Sequence, residues 1–169
     1  MPRIPFQNLP DHGRLWVFPS SEHLSDDQRA RFGDTVDEFL DQWAAHGQPL
    51  QASRDILFDR FVVVGVNEDA EKPSGCSIDA LVNRLRALGA AEGLSLIDHA
   101  PVWYRVGDGV DSVSRAGFRA LAGQGQVSPE TVVFDTSITT VAELRAGALE
   151  KRCADSWHGR AFFRDSVAT

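Results

Sequence analysis

Two groups of side chains in this 169-residue chain could do chemistry. The first is Ser74-Gly75-Cys76-Ser77-Ile78-Asp79, where a polar loop gives way to an amphipathic helix. A thiol at a helix start meets unpaired backbone N–H groups and the positive end of the helix dipole, and both favour the nucleophilic thiolate. Ser74 and Gly75 allow a tight turn with little steric cover over Cys76. The second group is Asp155-Ser156-Trp157-His158-Gly159-Arg160. An aspartate three residues before a histidine can orient the imidazole, and a nearby thiol then completes a Cys/His/Asp site. In that site Cys76 is the nucleophile, His158 the base and Asp155 the orienting group, while Arg160 holds an anionic substrate. Trp157, Ser74, Ser77 and Asp79 are further candidate substrate contacts, and His46 is a second candidate base or ligand.

Each of these residues also has a packing role open to it. Cysteine is commonly buried, so Cys76 could plug the helix against a sheet, and Asp79 could be a first-turn carboxylate that suits the helix dipole. His46 could be a helix-end cation beside Gly47. The tail could pack Trp157, Phe162 and Phe163 inward and leave its charges in water. Cys76, His46, His158 and a carboxylate are suitable zinc ligand types for a hydrolase, but their separations follow no local zinc spacing, so no metal ligand is assigned. A different class of function, a non-catalytic peptide- or ligand-binding module, would use Trp103, Tyr104 and Trp157 as its recognition surface. Arg54, Arg60 and Arg105 fall on or beside strands, where an outward charge is the default.

The elements that must position these groups follow from the apolar periodicity. Residues 1–13 carry three prolines and read as an extended lead-in. Arg14 to Phe18 is a short strand stopped by Pro19. Ser25 with Gln28 forms a capping box, and Phe32, Val36, Phe39, Leu40 and Trp43 make one helical face ending at Gly47 and Pro49. Leu50 to Phe58 and Phe61 to Val66 are strands, the second apolar on both faces and so central. Ile78, Leu81, Val82, Leu85 and Leu88 form a second helical stripe. Leu94 to Ile97 is a candidate strand and Val102 to Val106 a firm one.

Strand, helix, strand, strand, helix, strand over residues 14–106 predicts an α+β, ferredoxin-like (βαββαβ) antiparallel sheet with both helices on one face. Residues 107–169 then form a small αβ extension. It has a strand at Val110 to Val113, a helix capped by Ser114, a strand at Thr131 to Phe134 and a Thr140/Glu143 capping box. Its aromatic tail is expected to pack back on the body, beside Cys76.

A net charge of −7, with acidic residues spread along the chain, argues against a nucleic-acid backbone as partner. No apolar run reaches the roughly eighteen residues of a membrane span, and Met1-Pro2-Arg3-Ile4-Pro5-Phe6 lacks a signal-peptide core. The expectation is a cytoplasmic protein with Cys76 and Cys153 both reduced. Ferredoxin-like bodies can pair through their sheets, so a homodimer is one expected state.

Three strings resemble a family of small uncharacterised bacterial proteins sometimes labelled ABC transporter ATPase. They are Trp43-Ala44-Ala45-His46-Gly47-Gln48-Pro49-Leu50, Ser74-Gly75-Cys76-Ser77-Ile78-Asp79 and Asp155-Ser156-Trp157-His158-Gly159-Arg160. The resemblance implies no activity, since that family has no established one. The ATPase label fails because the chain has no Gly-x-x-x-x-Gly-Lys-Ser/Thr loop to cradle phosphates. Residues 102–135 are similar to GYF-type peptide-binding modules, without the Gly-Pro step that usually follows the hairpin. The expected function is thus a small-molecule enzyme with a Cys/His/Asp site and no organic cofactor.

Overall fold

The run Phe61-Val62-Val63-Val64-Gly65-Val66 has no polar side chain to turn toward water, so the fold must cover both of its faces. The structure, a computed structural model, describes residues 3–164. Its first half consists of Arg14–Pro19 (β1), Asp26–Gln42 (α1), Ala44–Ala45 (β2), Gln48–Pro49 (β3), Ala52–Leu57 (β4), Phe61–Val66 (β5) and Gly75–Ala91 (α2). Its second half consists of Val102–Val106 (β6), Gly109–Val113 (β7), Arg115–Gly123 (α3), Val132–Phe134 (β8), Val141–Arg145 (α4), Glu150–Arg152 (β9) and Trp157–Phe162 (α5). The fold is mixed α and β, and its strand ladders are antiparallel.

Strand β5 is the middle of a three-stranded sheet of order β1-β5-β4, and all six of its residues are buried. On one face Val62, Val64 and Val66 meet Phe32, Val36 and Leu40 of α1 and Leu81 and Leu85 of α2. On the other face Phe61 and Val63, with Leu15 and Val17 of β1, meet Trp103 and Phe134 of a second sheet. That sheet has the order β7-β6-β8-β9. Its own far face carries Val102 and Val133 against Phe118 of α3, with Phe162 and Phe163 partly buried beside them. The period-two alternation of β6 and β8 thus feeds two different cores, and the chain stacks as helices, sheet, sheet, helices.

The helices lie on one face of the first sheet as expected, but the full ferredoxin-like order does not form. A strand has two edges, and both edges of β6 are taken, by β7 through a tight turn and by β8 at Tyr104 opposite Val133. Strand β6 therefore has no edge left for β1. Three of the four βαββαβ strands do pair antiparallel in the expected order, β1-β5-β4, and only the fourth is missing from the outer edge of β1. That edge is covered instead by the segment before α4, through the Leu15 N–H donating to the Thr139 carbonyl (2.8 Å). The expected strand at Leu94 to Ile97 is irregular chain, pinned by the Ser95 N–H to Ser21 Oγ (2.9 Å), with Leu96 buried.

Arg60 is not an outward charge. It is buried where the two sheets meet, and it donates to the carbonyls of Ser20 and Ser21 (3.3 Å each) and to Ser112 Oγ (3.2 Å). Burial lowers its pKa against the pull of Asp111 and Glu22. The Trp103 indole also donates to the Ser20 carbonyl (2.9 Å), so the chain leaving β1 is held both by Arg60 and by the second sheet.

Because β5 supports a core on each side, Phe61→Ala and Phe32→Ala, both at fully buried positions, should each lower unfolding free energy by roughly 3–5 kcal/mol in urea titrations. A loss below about 1 kcal/mol for either would mean that its core is absent.

Candidate functional site

Helix α1 ends sooner than its stripe suggests. The Ser25/Gln28 box opens it, and the chain turns extended at Trp43. Residues 44–49 form a hairpin whose two-residue turn is His46-Gly47, with φ of 52° and 77°. Positive φ at both positions suits the twist of a tight hairpin, and glycine supplies it freely at the second. Histidine enters this region more readily than most residues, but at a cost of about 1 kcal/mol. Gly47 is therefore a turn residue and not a helix cap, and His46 is displayed at the hairpin tip.

Ser74 and Ser77 close a capping box at the start of α2: the Ser77 N–H donates to Ser74 Oγ (3.1 Å), and the Ser74 N–H donates to Ser77 Oγ (2.7 Å). Both hydroxyls serve the helix start. Cys76 lies between them, exposed, at the second helical position. The two segments are joined by Trp43, whose buried indole N–H donates to the Ser77 carbonyl (2.8 Å). Cys76 and His46 consequently line one cleft of about 930 Å³ with Phe39, Trp43, Glu38 and Arg84. Cys76, Ala80 and Arg84 reach it as successive i, i+4 positions of α2. Ser74 and Ser77 also line the cleft, whereas Asp79 is exposed on α2 and is not part of the lining.

The tail forms a second site in the opposite outer layer. Asp155 does not orient His158. It is held by Arg152, whose Nε and Nη2 donate to its two oxygens (2.8 and 3.2 Å). His158 has its Nδ1 2.6 Å from Ser156 Oγ and stacks on Trp157 with ring centroids 3.8 Å apart. At 1 % exposure the imidazole is buried, and burial pushes its pKa down to about 4, against the attraction of Asp135. Gly159 makes this packing feasible, because a Cβ there would come within 2.5 Å of the Cys153 carbonyl oxygen. Above His158, Asp135, Lys151, Asp155, Trp157, Arg160 and Arg164 line a cleft of about 670 Å³.

The expected Cys/His/Asp site is therefore divided. Cys76 and His46 share one cleft, Asp155, Trp157 and Arg160 share the other, and the linings have no residue in common. Two sheets stand between the outer layers, so the tail is not the second wall beside Cys76. The zinc set does not assemble either: among the described residues no group of three or more His, Cys, Asp or Glu side chains is arranged to hold a metal ion. The aromatic recognition surface loses its first member, since Trp103 is buried between the sheets and Tyr104 packs edge-on against Phe118. Cys153 is buried, and burial pushes its thiol up to about 12.

Sequence reasoning missed Trp43 as the tie between the halves of the first cleft, along with Arg84, Asp135 and Lys151. Arg84 carried a signal, being two helical turns beyond Cys76. The Lys151–Asp135 pair (2.6 Å) carried none, because it depends on β9 pairing with β8. Comparison with protein-family models, with curated proteins and with solved structures found no match. Among the described residues no helix is long and apolar enough to cross a membrane.

The buried neutral His158 sets a pH dependence. Its folded pKa lies below the ordinary 6.5, so the unfolded chain takes up the proton first and stability falls as pH drops from about 6.5 toward 4. The full effect is roughly 3 kcal/mol. Urea unfolding of His158→Gln should lose roughly 2–3 kcal/mol less than wild type between pH 7 and 4.5. Equal losses would show that His158 is not buried in its neutral form.

Proposed function

We propose that the chain is a thiol-dependent small-molecule enzyme, a hydrolase or transferase, whose site is the cleft between α1 and α2. The observation that carries this reading is the convergence of Cys76 and His46, thirty positions apart, on one cleft through the Trp43–Ser77 bond. In this reading Cys76 is the nucleophile and His46 the general base. His46 takes the thiol proton as sulfur attacks an electrophilic carbon, and returns it to the departing group as the bond to that group breaks. For an acyl substrate, water or an acceptor then attacks the thioester carbon while His46 takes its proton, and the C–S bond breaks to release the Cys76 thiolate. No organic cofactor is required for these steps.

The apolar flanks supplied by Phe39 and Trp43 suit a substrate with a nonpolar body, and Arg84 offers a charge for a terminal acid. Of the three strings that resemble the small bacterial family, two form the walls of this cleft and the third lies at the other. An exposed cysteine with no disulfide partner supports a reducing compartment such as the cytoplasm.

Alkylation by iodoacetamide, followed by intact-mass measurement at pH 7.5, tests the proposal. One thiol should react, Cys76→Ser should abolish the reaction, and His46→Ala should slow it at least about tenfold. Alkylation of Cys76 no faster than free cysteine, or a rate indifferent to His46, would overturn it.

A further inference from the structure

The second cleft gathers several cationic side chains on a chain whose net charge is −7. Lys151, Arg160 and Arg164 line it together, and the Arg115 guanidinium lies 5.0 Å from the Trp157 ring centroid at its edge. Both lining carboxylates are already engaged. Asp135, 7 % exposed, accepts from Lys151 Nζ (2.6 Å), from the Ser137 N–H (3.0 Å) and from the Ser137 hydroxyl. Burial works to raise its pKa, but these bonds outweigh burial and hold the carboxyl below its usual range. Asp155 is taken by Arg152 on both oxygens. Among the described residues neither Arg160 nor Arg164 has a carboxylate partner, so within that set the cleft carries two guanidinium charges beyond its engaged ion pairs.

Buried groups pack beside them: His158 is 1 % exposed and Asp135 7 %. His158 is buried under Trp157 and held at Ser156, and Asp135 anchors the Lys151 ammonium from below. Charges beside low-dielectric packing interact with a ligand more strongly than charges surrounded by water. Two guanidinium groups present forked donors that match the oxygens of a tetrahedral oxyanion, and a fixed ammonium adds a third point of contact.

We propose that this cleft binds a phosphate-bearing small molecule. Arg160 and Arg164 grip the phosphate oxygens, and Lys151, positioned by Asp135, completes the site. A phosphomonoester near pH 7 carries close to two negative charges, which balances the two free guanidinium charges. The roughly 670 Å³ of the cleft accommodates an organic portion against Ala154 and the edge of Trp157. This site is independent of the Cys76 cleft.

The test is a titration of the full chain with inorganic phosphate at constant ionic strength, followed by amide chemical shifts in two-dimensional NMR. Saturable shifts confined to residues around Asp135 and 151–164 are expected, at millimolar concentration or below. R160Q/R164Q should weaken binding at least tenfold and R160K/R164K by less, while Cys76→Ser should leave it unchanged. Retained native amide dispersion in both double variants shows that any loss is not unfolding. Shifts that do not saturate, equal shifts with chloride, tighter binding of malonate than of phosphate, or binding unchanged in R160Q/R164Q would each overturn the proposal.

Discussion

Every layer of this protein depends on the double-sided burial of β5. Six consecutive residues without a polar side chain cannot form an edge or a half-exposed strand, because either would leave several apolar side chains in water at about 1.5–3 kcal/mol each. The chain meets this constraint with α1 and α2 on one side and a second sheet on the other. The second sheet then has an outer face of its own to cover, which brings in α3 and α5. The buried Arg60, donating to the carbonyls after β1 and to Ser112 on β7, fixes how the two sheets sit together.

The same layering decides which reactive groups meet. Cys76 and His46 belong to the helical layer over the first sheet, and His158 with its neighbours belongs to the layer over the second. Two clefts with different chemistry result. One has an exposed thiol and an imidazole in its lining, beside Phe39 and Trp43. The other is cationic and stands on a buried, neutral histidine. A single Trp43–Ser77 hydrogen bond joins the end of α1 to the start of α2, so the geometry of the thiol cleft rests on a core residue as much as on its lining.

Most single elements were legible in the sequence, because their signals are local. The Ser25/Gln28 and Thr140/Glu143 boxes, the stripe of α1 and the apolar run of β5 are each written within a few residues. Long-range pairing was not legible. Val102 to Val106 reads as a strand on its own composition, but whether it joins β1 or β8 depends on which edges other segments occupy. Likewise His46-Gly47 fits both a helix cap and a hairpin turn, and only the pairing of Ala44 with Pro49 selects the turn. The short polar β9 has no apolar alternation, and its partner β8 is remote in sequence. That is why the Lys151–Asp135 pair was missed. Cys76 and His46 line one cleft and Trp157 and Arg160 the other, and the grouping of Cys76 with Asp155 and His158 assumed a contact that two intervening sheets prevent.

Pulsed electron spin resonance tests this separation most directly. One spin label goes on the exposed Cys76 and the other on a cysteine introduced by His46→Cys or by Arg160→Cys, while the buried Cys153 stays unlabelled. The layered structure predicts a clearly shorter distance for the 76–46 pair than for the 76–160 pair. A 76–160 distance equal to or shorter than the 76–46 distance would contradict it and restore a single Cys/His/Asp site.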